Sequence, residues 1–91
     1  MYEIILTEAA DRDFDLHTFA GNKILLKKIK RLLAELEQHP RSGTGKPKML
    51  SHDMSGMWSR RIDDKHRMVY SIEDETVTVF VLSLRDHYDD K

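Results

Sequence analysis

The spacing of apolar and polar residues divides the chain into elements. In "YEIIL", Tyr2, Ile4 and Leu6 alternate with Glu3 and Ile5, which predicts a short strand with one clearly apolar side. Thr7 is placed to cap a helix whose first turn carries Glu8 and Asp11, where negative charge favours the exposed N–H groups. Gly21 in "AGN" closes that helix with a turn. From Asn22, a second cap, the period turns helical. Leu25, Ile29, Leu32, Leu33 and Leu36 recur at i, i+4, i+7, i+8 and i+11 as one stripe, and Lys23, Lys27, Lys28, Lys30 and Arg31 occupy much of the remaining surface. Pro40 ends the helix by pushing His39 out of helical dihedrals.

Residues 40–56, "PRSGTGKPKMLSHDMSG", are rich in glycine, proline and small polar residues and read as a long loop, a length more often functional than idle in a small protein. Three runs of strand composition follow, "MWSRRI", "HRMVYSI" and "TVTVFVLSL", joined by the tight polar connections "DDK" and "EDE". They predict an antiparallel meander. The order is therefore β-α-α-β-β-β, an α+β class fold with two helices packed on a small, antiparallel-dominated sheet.

With 91 residues the chain suffices for a single domain, 1–91, around one modest core. No apolar run is long enough to cross a bilayer, and the acidic start lacks a signal-peptide layout, so the expected location is the cytoplasm with no membrane association. The absence of cysteine excludes disulfides and thiolate chemistry, and no zinc-type spacing such as HExxH occurs, so no metal and no cofactor is expected. The net charge of −1 conceals a strong segregation. Residues 21–70 hold twelve Lys/Arg against five acids, flanked by segments in which acids dominate. A basic block inside a near-neutral chain provides a polyanion-binding face without a high pI; for the Lys-rich second helix, an ordinary solvated face is an equal alternative.

The hairpin raises the sharpest question. If "DDK" is centred near Asp64, Arg61 faces Arg67, Ile62 faces His66, Arg60 faces Met68 and Trp58 faces Tyr70. Like charges directly opposed on a sheet are destabilising, a cost that an anion held between them would remove. Each guanidinium can give two parallel hydrogen bonds to one phosphate. The alternative is that both arginines pair with surface carboxylates such as those of Asp63 and Asp64. Arg60 falls on or beside the packed side, positioned to snorkel to an edge or to pair with an acid.

These residues carry a resemblance. "GTGKPKMLSHDMSGMWSRRIDDKHRMVYSI", followed by the near-terminal "DHY", contains the motifs G-x-GKP, SG-x-WSRRI, HR-x-VY and a closing HY in order. The chain resembles the YoeB/Txe branch of the RelE toxin superfamily, the mRNA interferases of bacterial toxin–antitoxin modules, along nearly its whole length. The resemblance implies a RelE-like, microbial-RNase-like fold and an endoribonuclease that enters the ribosomal A site. There it cleaves mRNA without metal, through the RNA's own 2′-OH, leaving a 2′,3′-cyclic phosphate and a 5′-OH and stopping translation. The implied partners are a cognate antitoxin that wraps and neutralises the toxin, the ribosome with its rRNA, and mRNA. A homodimer of the free toxin, and operator DNA bound only through the antitoxin complex, complete the set.

Internal cleavage by the 2′-OH needs a base, an acid for the departing 5′ oxygen and cationic donors for charge building on the phosphate. Under the resemblance His87 is the general acid, Arg67 and Arg61 hold the scissile phosphate, and Tyr88 stacks on a base or bonds the phosphate. Lys46, His52 and Arg60, with Lys23, Lys27, Lys28, Lys30 and Arg31 of the second helix, are the expected RNA and ribosome contacts. One departure stands out: where the family typically has a glutamate after GKP, proposed as the base, this chain has Lys48. A lysine is protonated at neutral pH unless burial or neighbouring cations depress its pKa. Three routes stay open: Lys48 serves as lysines do in RelE-type relatives, His52 substitutes, or cleavage is weak and the protein acts by binding ribosome or antitoxin and by operon co-repression. A second departure is Ser51, where relatives often carry another lysine.

Overall fold

The computed structural model describes residues 1–85. Strand β1 (Glu3–Leu6) leads into helices α1 (Glu8–Phe19) and α2 (Lys23–Gln38), followed by β2 (Lys48–Met49), β3 (Trp58–Arg61), β4 (Arg67–Glu73) and β5 (Thr78–Ser83). Both expected caps form: Thr7 Oγ1 accepts from the Ala10 amide at 3.2 Å and Asn22 Oδ1 from the Leu25 amide at 3.3 Å.

The sheet runs β1-β5-β4-β3-β2, with β1 parallel to β5 and the remaining neighbours antiparallel. Two helices on a five-stranded, mostly antiparallel sheet give the α+β fold expected. The difference is β2, inside the segment read as loop. Its two residues are too few to show a period in sequence; they pair Lys48 with Ser59 and Met49 with Trp58 along the edge that β3 leaves free. A 3₁₀ turn, His52–Met54, follows it.

The stripe Leu25, Ile29, Leu32 and Leu36 is buried against Met68, Tyr70, Val79, Val81 and Leu84, with Tyr2, Ile4 and Leu6 packed alongside. Alternation along the strands then turns Ser59, Arg61, Arg67, Val69 and Lys48 to the second face. Between β4 and β5 the register slips: Tyr70 pairs with Val81 but Val69 with Ser83, so Leu82 is the extra residue of a bulge. Beyond it the chain continues beside β4, where the Arg67 amide donates to the Arg85 carbonyl oxygen at 3.0 Å.

Candidate functional site

The hairpin has the register the sequence predicts: Arg61 opposes Arg67, Arg60 opposes Met68 and Trp58 opposes Tyr70, while the Ile62 amide bonds to the His66 carbonyl oxygen at 2.9 Å. The Asp63 side chain builds the turn. Its Oδ1 accepts from the Lys65 amide at 2.9 Å, the His66 amide at 2.7 Å and His66 Nδ1 at 2.9 Å. Burial pushes the Asp63 carboxyl up, but the bonds from the His66 ring and amide and the Lys65 amide outweigh it and hold the group below the usual carboxylate range.

Because that carboxylate is engaged by the turn, the arginines do not receive it. Both guanidinium groups instead approach one oxygen, the Asp63 carbonyl, from Arg61 Nε at 3.4 Å and Arg67 Nη1 at 3.5 Å. Arg61 Nη2 also reaches Asp64 Oδ1 at 2.6 Å, realising half of the carboxylate alternative. The Asp64 side chain is 95% exposed, and exposed ion pairs contribute little and are readily exchanged for another anion. Among the described residues these contacts engage three of the ten N–H donors on the two groups.

Lys48 lies on the same face as Arg61 and Arg67, one step of two residues along β3, or about 7 Å, from the arginine row. It is exposed, as are Lys46 and His52. Lys46 and His52 both adopt left-handed backbone, with φ of 51° and 60°, a conformation that costs a non-glycine residue roughly 1–2 kcal/mol. Gly45 before them is required: at φ 90° a Cβ would lie 2.5 Å from the Arg61 carbonyl oxygen and 2.6 Å from Arg60 Cγ. That close approach lets the Gly45 carbonyl accept from the Arg61 amide at 2.8 Å, tying the loop to β3.

Arg60 corrects the sequence expectation of an RNA contact. Its side chain is fully buried on the helix side, where Nη1 donates to Glu35 Oε1 at 2.7 Å and Nη2 to the carbonyl oxygens of His39 at 2.9 Å and Ser42 at 2.8 Å. Strand alternation puts it opposite in sense to Arg61, and the α2–β2 connection folds over it. Glu35 Oε1 also accepts from the Thr44 amide at 2.6 Å. Burial pushes the Glu35 carboxyl up, yet the Thr44 bonds and the Arg60 charge hold it below its ordinary value.

Lys23, Lys27, Lys28, Lys30 and Arg31 are exposed on α2. Lys28 and Arg31 join Thr44 and Arg61 around an open cleft of about 190 Å³ with Leu32 and Ile62 as its apolar part, so the helix's basic face continues to the arginine row. Lys23, Lys27 and Lys30 do not line it. His87 and Tyr88 lie outside the described residues. Among the described residues no group of three His, Asp or Glu is arranged to hold a metal ion, and no helix is long and apolar enough to cross a membrane. The sequence offers Asp63 only as a partner for the arginines and gives no sign of Glu35, because the one builds a turn on backbone amides and the other meets Arg60 25 positions away, and neither leaves a pattern; Asp13 and His17 leave one.

Fold and site together define a small α+β domain with opposed arginines on the sheet face away from its helices. Residues 6–88 match the family described as YoeB-like toxin of bacterial type II toxin-antitoxin system, and the chain belongs to that family. It is 46% identical over 69 residues to Toxin YoeB of Mycobacterium bovis, covering 76% of this chain and 79% of that one. Its fold is similar to that of the YoeB/ParE toxin from Agrobacterium tumefaciens, with a TM-score of 0.87 at 31% identity over 94% of this chain and 99% of the other. It is similar too to a chain of the YoeB-YefM complex from Staphylococcus aureus, with a TM-score of 0.81 at 31% identity, covering 97% and 99%.

Proposed function

We propose that this toxin is a ribosome-dependent mRNA endonuclease, one domain acting in the cytoplasm. The observation that carries the proposal is the convergence of Arg61 and Arg67 on a single oxygen while the turn withholds the Asp63 carboxylate. A phosphate oxygen is a better acceptor than a peptide carbonyl for two cations, and it removes their mutual repulsion. In the reaction the 2′-OH loses its proton to a base, attacks phosphorus and closes the 2′,3′-cyclic phosphate, while the bond to the 5′ oxygen breaks. The two guanidinium groups stabilise the charge that builds on the phosphate. His87, the general acid, protonates the departing oxygen, and Tyr88 stacks on a base or bonds the phosphate. The described chain ends with Arg85 bonded to Arg67, two residues before His87, which supports bringing these groups together.

Lys46, His52 and the basic face of α2, chiefly Lys28 and Arg31 beside Arg61, would hold RNA and ribosome. A cognate antitoxin, a homodimer of the free toxin and operator DNA bound through the antitoxin complex belong to the same proposal. Mapping of mRNA ends in a translating extract is expected to show A-site cuts that disappear with His87→Ala; cuts that persist would remove His87 from the mechanism.

Exposed Lys48 at the family's glutamate position favours an alternative, a feeble nuclease that acts by occupying the ribosome or by binding antitoxin in co-repression. The exchange Lys48→Glu separates the two. Strong cleavage appearing only in that variant would establish the binding alternative, whereas cleavage by the native chain establishes the enzyme.

A further inference from the structure

Four positions of α1, Ala10, Asp13, Phe14 and His17, share one face at i, i+3, i+4 and i+7, and that face turns inward. Two of them are polar. Asp13, 9% exposed, accepts from the Leu84 amide at 3.0 Å and from Arg85 Nε at 3.3 Å through the same Oδ2. His17 Nε2 lies 2.6 Å from the Leu84 carbonyl oxygen; a carbonyl can only accept, so Nε2 carries the proton. The His17 ring meets the His66 ring edge-on at 5.1 Å, which ties the contact to the hairpin that carries the arginines.

The need for these bonds follows from the end of β1. The ladder with β4 resumes past Leu82, but β1 pairs with β5 only as far as Val81, so on that edge the backbone groups of buried Leu84 have no strand beside them among the described residues, and α1 supplies both partners: Asp13 for the amide and His17 for the carbonyl. Arg85 is then held twice, by Asp13 on its side chain and by the Arg67 amide on its carbonyl. A strand end that would otherwise fray is fastened to a helix and to one of the paired arginines.

The geometry points to Asp13 and His17 as positioning residues: through Leu84 and Arg85 they set the direction in which the chain leaves β5, two residues before His87. This rests on the role proposed for His87, while the anchor itself stands apart from it. Neither residue touches RNA. Their effect is on how often the terminal imidazole meets the phosphate held by Arg61 and Arg67, and misplacement of an acid costs turnover rather than binding.

Amide exchange in the full chain, followed by NMR, reads the anchor directly. Asp13→Ala and His17→Ala should each speed exchange at Leu84 by about tenfold or more and leave Val79 within about twofold; an unchanged Leu84 overturns the anchor. Steady-state cleavage on programmed ribosomes reads its consequence. Asp13→Ala should lower kcat by about 10- to 100-fold at unchanged KM, and Asp13→Asn less, since its carboxamide oxygen still accepts from Leu84 but no longer pairs with Arg85. Should Asp13→Ala fail to fold, Asp13→Asn carries both measurements. In a His87→Ala background the same change should cost less than about twofold, because a residue acting through His87 has nothing left to position. Equal losses in both backgrounds would make Asp13 a stability residue and overturn the positioning role. Cleavage indifferent to His87→Ala removes the nuclease role of that histidine, and the Leu84 exchange rate then decides the anchor by itself.

Discussion

Arg60 and Arg61 are neighbours in one strand and differ in almost every physical respect. Arg60 sits under the helices, fully buried, its donors directed at Glu35 and at carbonyl oxygens of the α2–β2 connection. Arg61 sits on the other face, its side chain 47% exposed, sharing one peptide oxygen with the opposed Arg67. The same side chain thus serves the fold on one side of β3 and, among the described residues, meets only weak or exposed acceptors on the other. The comparison shows where stability is given up: among the described residues the buried guanidinium has both terminal nitrogens engaged by fixed partners, with Nε left without one, whereas the exposed pair keeps a repulsion offset only by the exposed Asp64.

The largest expected effect falls on the exposed side. Arg67→Ala should lower cleavage by about 10²- to 10³-fold, the range for losing a donor to developing charge, while leaving Tm unchanged or a little higher because like charges no longer oppose each other. A variant that cleaves normally would break the contrast at its functional end. Next comes the buried side. Arg60→Ala should cost about 3 kcal/mol in urea denaturation, the low end for breaking a buried pair because the Glu35 side chain is 22% exposed. For a domain of this size that is a fall in Tm of about 12–24 °C; a Tm within a few degrees of the parent would show that the buried arginine does not hold the fold.

The smallest effect sharpens the comparison by pH. Glu35 and Asp63 are both held below their ordinary values of 4.5 and 3.8 in the folded chain. Their contribution to stability is therefore fully present above those values and is lost as pH falls through the depressed folded ones. Denaturation midpoints measured between neutrality and about pH 3 should decline, and Glu35→Gln should make the decline shallower. A profile identical in the variant would mean that Arg60 and Thr44 do not favour the ionised carboxyl.

Local physics made much of the fold readable. The stripe of α2, the caps Thr7 and Asn22 and the stop at Pro40 each depend on residues within a few positions of one another. So does the hairpin, whose short turn sets every pairing from Trp58–Tyr70 to Arg61–Arg67. That is why the opposed arginines could be recognised before any coordinates. The strand β2 escaped because two residues have no period, and Arg60 was placed on the packed side without its partner being identifiable, since Glu35 lies 25 positions away.

Asp13 and His17 mark the boundary most clearly. A carboxylate and an imidazole on the inward face of α1, alongside Ala10 and Phe14, announce that something polar must be buried there, but their partners are backbone groups 71 and 67 positions distant. By itself the sequence determined which elements form, which faces are apolar and which side chains meet across one turn, because these follow from periodicity and short-range sterics. Only the tertiary structure decided that β1 lies parallel beside β5, that one of two adjacent arginines is enclosed by a loop, and that α1 fastens the end of the last strand. Those outcomes depend on which distant backbone donors and acceptors must find partners once water is excluded.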